Sequence, residues 1–146
     1  MQPRRVLETR VGPSNVTVDG AWQGTGAYGP DATIELPVGG RADVPVDADA
    51  VMLNVTVVGP TAAGFLTVYP CGQGRPLASN INFAPGAVVA NAVLAKLGTG
   101  GKVCIYTPAR THIVVDVNGY IPAGGSPLAM QPRRVLETRV GPSNVT

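Results

Sequence analysis

The sequence MQPRRVLETRVGPSNVT occurs twice in this chain of 146 residues, once at each end. Residues 1–17 and 130–146 are identical, so the two copies lie 129 residues apart. A perfect match of this length does not arise by chance in so short a chain, and a fixed repeat distance is typical of tandem units. The sequence therefore predicts one domain at 1–129 and the first strand of a following unit at 130–146. An artificially extended end is the alternative.

Composition indicates an all-β domain. The chain has 19 Gly and 14 Pro with many Val and Thr, which favours short strands separated by tight turns. Charged residues make up only 14% and are scattered, with a net charge of +2, so a phosphate-binding stripe and a nucleic-acid partner are not expected. The apolar runs are far shorter than the roughly 20 residues of a membrane helix. We expect no transmembrane span, and any signal peptide would lie outside this sequence.

Alternating apolar and polar residues predict the strands. The clearest segments are RVLET, TIEL, AVMLNVTVV, GFLTVYP, KVCIYT and THIVVDVNGY. A period of two places Val51, Leu53, Val55 and Val57 on one face of their strand, which we expect to face the core. Only Val88–Leu97 has the apolar content of a helix, and its β-branched start and glycine end argue against one.

Turn signals suggest how the strands are connected. VVGPTAAGF and GTGGK contain the Gly and Pro of hairpin loops, so we expect the strands on either side of each to be antiparallel neighbours. Eight to ten short strands, with no helix to serve as a parallel crossover, predict an antiparallel β-sandwich of jelly-roll or Greek-key topology. A closed barrel is the runner-up.

The two cysteines and the single histidine limit the kinds of chemical site that the chain can form. Cys71 and Cys104 form an even pair in or beside strand-like segments, which favours a disulfide and an oxidising compartment over free thiols. His112 is the only histidine and no CxxC spacing occurs, so neither a metal site nor a cofactor is expected. No serine or cysteine has a recognisable supporting motif for nucleophilic attack, and we therefore expect no enzymatic activity.

Two further groups are candidate sites. Arg5, Glu8 and Arg10 form the densest charge cluster, but alternation places Glu8 and Arg10 on one face and Arg5 on the other. This spacing predicts no single convergent site; pairing with groups on adjacent strands or loops is favoured over ligand binding. Trp22 and Tyr28 lie in the Gly-rich segment DGAWQGTGAYGP, where an aromatic side chain either plugs the end of a sandwich or contacts a ligand.

Several segments together resemble a known family. RRVLETR, LNVTVVGPTAAGFLTVYPCG, SNINF, NAVLAKLGTGGKVCIYT and THIVVDVNGY resemble, in this order, a repeat domain of secreted actinobacterial surface proteins. The resemblance covers nearly the whole unit, although Glu8 and Glu137 stand where the common form of the motif has Asp. It implies a non-catalytic extracellular β module, found in tandem or appended to secreted hydrolases, and it supports a Cys71–Cys104 bridge.

These observations predict a secreted structural module that is repeated or assembled head-to-tail into a stalk or fibre. Its partners would be copies of itself or adjacent units, joined through the linker-like stretch Pro122–Met130. The predicted assembly strand is the second copy, formed by Arg134, Val135, Leu136, Glu137, Thr138 and Arg139. The alternative is a carbohydrate-binding module for cell-wall adhesion, with Trp22 and Tyr28 as ligand contacts and cell-wall polysaccharide as partner.

Overall fold

Eight β-strands account for most of the regular structure in residues 2–125, the part of the chain that the computed structural model describes. A short 3-10 turn, Thr99–Gly101, precedes the seventh strand. The strands are β1 Arg4–Glu8, β2 Ala32–Pro37, β3 Ala50–Val58, β4 Gly64–Pro70, β5 Ile81–Phe83, β6 Val88–Lys96, β7 Lys102–Thr107 and β8 His112–Ile121.

The strands form two four-stranded sheets, both antiparallel throughout. The first sheet has the order β1-β8-β3-β6 and the second has the order β2-β7-β4-β5. This order, with eight strands shared between two facing sheets, is that of a jelly roll. The predicted antiparallel sandwich is confirmed, and the segment Val88–Leu97 contributes a strand, not a helix.

The two predicted hairpins are wrong. β3 and β4 belong to different sheets, as do β6 and β7, so each connection crosses the sandwich. The backbone of the first connection bonds to other loops instead of closing on itself: the Gly59 N–H donates to Ala87 O at 2.9 Å and the Thr61 N–H to Arg110 O at 2.9 Å. A short Gly/Pro loop is compatible with both geometries, and the long-range pairing of β3 with β8 and β6 decides between them.

The core lies between the sheets and is built from small aliphatic side chains. Val51, Leu53, Val55 and Val57 are all buried, as their alternation predicts. In the second sheet, Cys71 and Cys104 form a disulfide with a Cα–Cα distance of 5.0 Å. The bond ties the segment after β4 to β7, which confirms the predicted pairing of these cysteines.

The first and last strands are adjacent and antiparallel, and Arg4 pairs with Val117. The start of β1 and the end of β8 therefore lie at the same end of the sandwich, which we call the exit end. Ala50 and Lys96 lie there too, because both are in register with Ile121 at the close of β8. Within residues 2–125, no helix has the length and hydropathy needed to cross a membrane.

Candidate functional site

Strand β1, the first of the two copied segments, is enclosed on both sides. It pairs with β8 along one edge. Along its other edge lie the backbone of the loop residues 18–24 and the side chain of Arg41. We call this surrounding, formed by β8, residues 18–24 and Arg41, the β1 site.

The backbone groups of β1 that face away from β8 have specific partners. Arg5 O accepts from the Val18 N–H at 2.9 Å, and Val6 O accepts from Arg41 Nη2 at 3.0 Å. The Glu8 N–H donates to Trp22 O at 3.0 Å, and Glu8 O accepts from the Gly24 N–H at 2.7 Å. An edge strand normally leaves such groups to solvent. Here they are satisfied, so β1 is held like an inserted strand.

A buried carboxylate is the centre of the β1 site. The Glu8 side chain has 0% exposure and accepts four hydrogen bonds. Arg10 donates from Nε at 2.9 Å, from Nη2 at 2.8 Å and from its backbone N–H at 3.0 Å. Arg5 Nη1 donates at 3.0 Å, and Arg5 Nε also bonds Asp116 Oδ1 on β8 at 3.0 Å. The network therefore links β1 to its neighbour strand.

This convergence corrects the prediction that Arg5 and Glu8 lie on opposite faces. The pairing of β1 with β8 shifts between Arg5 and Leu7, which makes Val6 the extra residue of a β-bulge. A one-residue shift moves every later side chain to the other face. Glu8 consequently joins Arg5 on the outer face, while Val6 and Leu7 are both buried in the core.

The electrostatics of this cluster favour the ionised pair. Burial acts to raise the pKa of the Glu8 carboxyl, but the hydrogen bonds and charge of Arg10, with the charge of Arg5, outweigh it and lower that pKa below its ordinary value. The hydrogen bond to Glu8 in turn raises the pKa of Arg10. The bidentate Arg10 pair fixes the orientation of the Glu8 carboxylate, and the contact of this cluster with β8 is made by Arg5 to Asp116.

Other side chains of the same segment complete the fit. The buried Thr9 accepts a hydrogen bond at Oγ1 from the Ile113 N–H at 2.9 Å, and this hydroxyl lies 2.8 Å from His112 Nδ1. The sequence VLET thus supplies two core side chains, one buried carboxylate and one hydroxyl, each with a defined partner. His112 serves this packing role through its contact with Thr9.

Arg41 closes the β1 site, and sequence reasoning missed it. Its side chain is 12% exposed and pairs with Asp19 through Nε to Oδ2 at 2.7 Å and Nη2 to Oδ1 at 2.9 Å. It also donates to the carbonyl oxygens of Val6, Pro37 and Ala21. The Arg41 hydrogen bonds lower the pKa of Asp19 to about 2. The separation of 22 residues between the partners gives no local signal of this contact.

The aromatic candidates lie against the protein. Trp22 and Tyr28 are partly buried and pack on the core, and Tyr28 forms a β-bridge with Thr111. On the outer face of the second sheet, Tyr106 is buried beneath the guanidinium of Arg75, which lies 3.5 Å from the ring centre. None of these three rings is a fully exposed platform.

Beside the disulfide, the Glu35 carboxylate and the two sulfurs of Cys71 and Cys104 lie within 4.8 Å of one another. This triad has the residue types of a metal site. However, both sulfurs are committed to the disulfide, and thiolates, not disulfide sulfurs, are the ligands that proteins use for zinc. The arrangement as it stands is therefore a covalent crosslink next to a surface carboxylate.

The predicted assembly strand, Arg134–Arg139, lies outside the described residues. Its sequence is identical to that of Arg5–Arg10, so it carries the same donors, acceptors and apolar side chains that the β1 site contacts. Comparison of the chain with protein-family models, curated proteins and solved structures found no match. The resemblance to the actinobacterial repeat domain stays a prediction.

Proposed function

We propose that this chain is a non-catalytic extracellular structural module that is repeated head-to-tail to build a stalk or fibre. The observation that carries the proposal is the β1 site, because the segment it encloses is the one that recurs after 129 residues. The repeated residues include three with defined hydrogen-bond partners in the β1 site. Glu8, Thr9 and Arg10 recur as Glu137, Thr138 and Arg139. A following unit would therefore begin with a strand already suited to the same site.

The position of the chain ends determines how such units would be joined. Both ends of the described domain lie at its exit end, since β1 starts where β8 finishes. Eight residue steps separate Gly125 from Arg133, the counterpart of Arg4, and a fully extended chain spans at most about 29 Å over this distance. Consecutive modules would then be joined by linkers at their exit ends, and the opposite end of each module would point away from the line of linkers.

The same contacts permit strand exchange. Arg133 lies far enough beyond β8 for the second copy to fold back beside β8 of its own domain, or to enter the β1 site of another molecule. The sequence has two copies of the segment, and residues 2–125 contain one β1 site, so one copy can enter the site only by displacing the other. Exchange of the segment between separate molecules forms no strand pairing beyond that within one chain, and it costs the entropy of association. This cost is an argument for the covalent array over exchange between separate molecules.

An extracellular location is supported by the Cys71–Cys104 disulfide, because such bonds persist in oxidising compartments. The core draws mainly on Val, Leu, Ile and Ala, and a crosslink that limits the unfolded chain is a useful addition to such a core. The carbohydrate-binding alternative has less support, since Trp22 and Tyr28 pack on the core and Tyr106 lies under Arg75.

Electron microscopy of the native secreted polypeptide tests the proposal. A structural array predicts strings or filaments with a regular axial repeat. Dispersed single particles, together with saturable binding to a purified cell-wall polysaccharide, would instead favour the adhesion alternative. The variants Trp22→Ala and Tyr28→Ala should abolish such binding, because these two rings are the contacts that the alternative requires, and circular dichroism of each variant checks that the fold is retained.

A further inference from the structure

A groove of about 660 Å³ opens at the exit end of the sandwich. Its apolar lining comes from Ala50, Leu94, Leu97 and Ile121, and Asp49 and Lys96 add one charge of each sign. Leu94 points to the face of β6 opposite to that of the buried Val93 and Ala95, and it is 54% exposed. We call this feature the exit groove. It is a partly apolar surface without a partner among residues 2–125.

The chain leaves the domain against this groove. The Gly124 N–H donates to Asp49 Oδ2 at 3.0 Å, and the Gly125 N–H donates to Pro122 O at 2.9 Å, which fixes the last turn. Gly125 itself lines the groove. A Cβ atom placed on Gly125 would lie 2.8 Å from Ile121 Cγ2, so only glycine allows so close an approach. The described part of the chain therefore ends at the groove wall.

The residues that follow have the composition of an occupant. They read Ser126, Pro127, Leu128, Ala129 and Met130. Proline fixes its own φ and restricts the residue before it to extended conformations. In an extended chain Leu128 and Met130 point to the same side. Three and five residue steps from Gly125 span at most about 11 Å and about 18 Å, which is within reach of the groove.

We propose that Pro127–Met130 occupies the exit groove, with Leu128 against Leu94 and Ile121. Occupation would remove apolar surface from water on both partners, which is the driving force for seating. The segment would then hold a fixed path out of each module and act as a joint that sets the angle between neighbours. The role as a joint rests on the proposed function, whereas the seating itself concerns one chain only.

A photo-crosslinking experiment on the full chain tests the seating. A photoreactive leucine analogue replaces Leu128, and the crosslinked peptides are identified by mass spectrometry. We expect crosslinks to the residues of the groove, with Leu94 and Ile121 most heavily labelled. Crosslinks scattered over the surface, or products of reaction with water alone, would overturn the proposal.

A proteolysis experiment provides a second measurement with a matched control. Leu94→Ser removes the apolar contact, whereas Val88→Ser changes an equally outward side chain, 72% exposed, at the far end of the same strand. We expect Leu94→Ser to speed thermolysin cleavage within residues 126–131 about 10-fold, since proteases cut the open form of a segment. Val88→Ser should leave the rate unchanged. Equal rates in both variants would overturn the seating, whatever electron microscopy shows about filaments.

Discussion

Removal of the buried carboxylate tests whether the two terminal copies compete for one site. Glu8→Ala deletes the acceptor of four hydrogen bonds and leaves Arg5 and Arg10 without their shared partner. Breaking a buried pair costs about 3–5 kcal/mol. The two arginines are 32% and 35% exposed, so water recovers part of that energy and we expect about 3 kcal/mol.

The chain length then determines how much of this loss appears. In a chain that ends at residue 129, Glu8→Ala should lower the free energy of unfolding by the full amount. In the full chain, the second copy brings Glu137 into the β1 site and should limit the loss to the cost of closing its loop, about 1–2 kcal/mol. Urea unfolding under non-reducing conditions measures both values.

The double variant Glu8→Ala/Glu137→Ala is the control for this rescue. Since neither copy then carries the carboxylate, the full loss of about 3 kcal/mol should return. Glu137→Ala alone should change little, because the first copy still occupies the site. An equal loss for Glu8→Ala in the short and the full chain, with no further effect of Glu137→Ala, would refute the reasoning.

Four further predictions concern the rest of the domain. The pKa values of Glu8 and Asp19 are lowered in the folded state, so these carboxylates stabilise the fold above the pKa values of the unfolded chain, and this stabilisation is lost as the pH falls. The midpoint of thermal unfolding should therefore drop between pH 4 and about 2, and Glu8→Gln should reduce that drop. Arg41→Ala should cost about 2–4 kcal/mol by calorimetry, and Arg41→Lys should not restore it, since a lysine cannot form the bidentate pair with Asp19. Replacing Cys71 and Cys104 together by Ser should lower stability by about 2–5 kcal/mol in denaturant titrations, and an unchanged midpoint would contradict the role of the crosslink. Deleting 131–146 should leave a folded monomer, whereas deleting 1–17 should leave a domain completed by the second copy; light scattering and circular dichroism would show whether either deletion unfolds the chain.

The strands and the buried faces could be predicted from the sequence because a sheet repeats every two residues. Val51, Leu53, Val55 and Val57 alternate with more polar neighbours, and all four are buried. The sandwich followed from the absence of any helix that might link parallel strands. These features depend on local patterns of burial, which the residue order carries directly.

The pairing of consecutive strands could not be predicted in the same way. The segment between β3 and β4 has the Gly and Pro of a hairpin, yet it crosses from one sheet to the other. The sequence of a loop limits its backbone conformations but does not fix which distant strands its neighbours will join. β3 pairs with β8 and β6, both far away in sequence, and those contacts determine its sheet.

The prediction for the charge cluster was wrong for a different reason, namely a single extra residue in β1. Strict alternation separates Arg5 from Glu8, and the bulge at Val6 brings them to one face. Nothing in the sequence RVLET marks the bulge, because a β-bulge of the classic type needs no glycine or other special residue. Asp116, which pairs with Arg5, and Arg41, which bonds Val6 O, are likewise distant from β1 in sequence. The surroundings of Glu8 therefore form only when the sheet is folded.

Hydrogen–deuterium exchange of the full-length Glu8→Ala variant tests the central claim most directly, namely that either copy can fill the β1 site. The substitution gives the two copies different masses, so their peptides are distinguishable. We predict that in the variant the amides of residues 133–138 and of β8 are protected, whereas those of residues 4–9 exchange fast. If residues 133–138 exchange as fast as an unfolded peptide while residues 4–9 remain protected or β8 opens with them, the second copy does not fill the β1 site, and the claim that the two copies are interchangeable is contradicted.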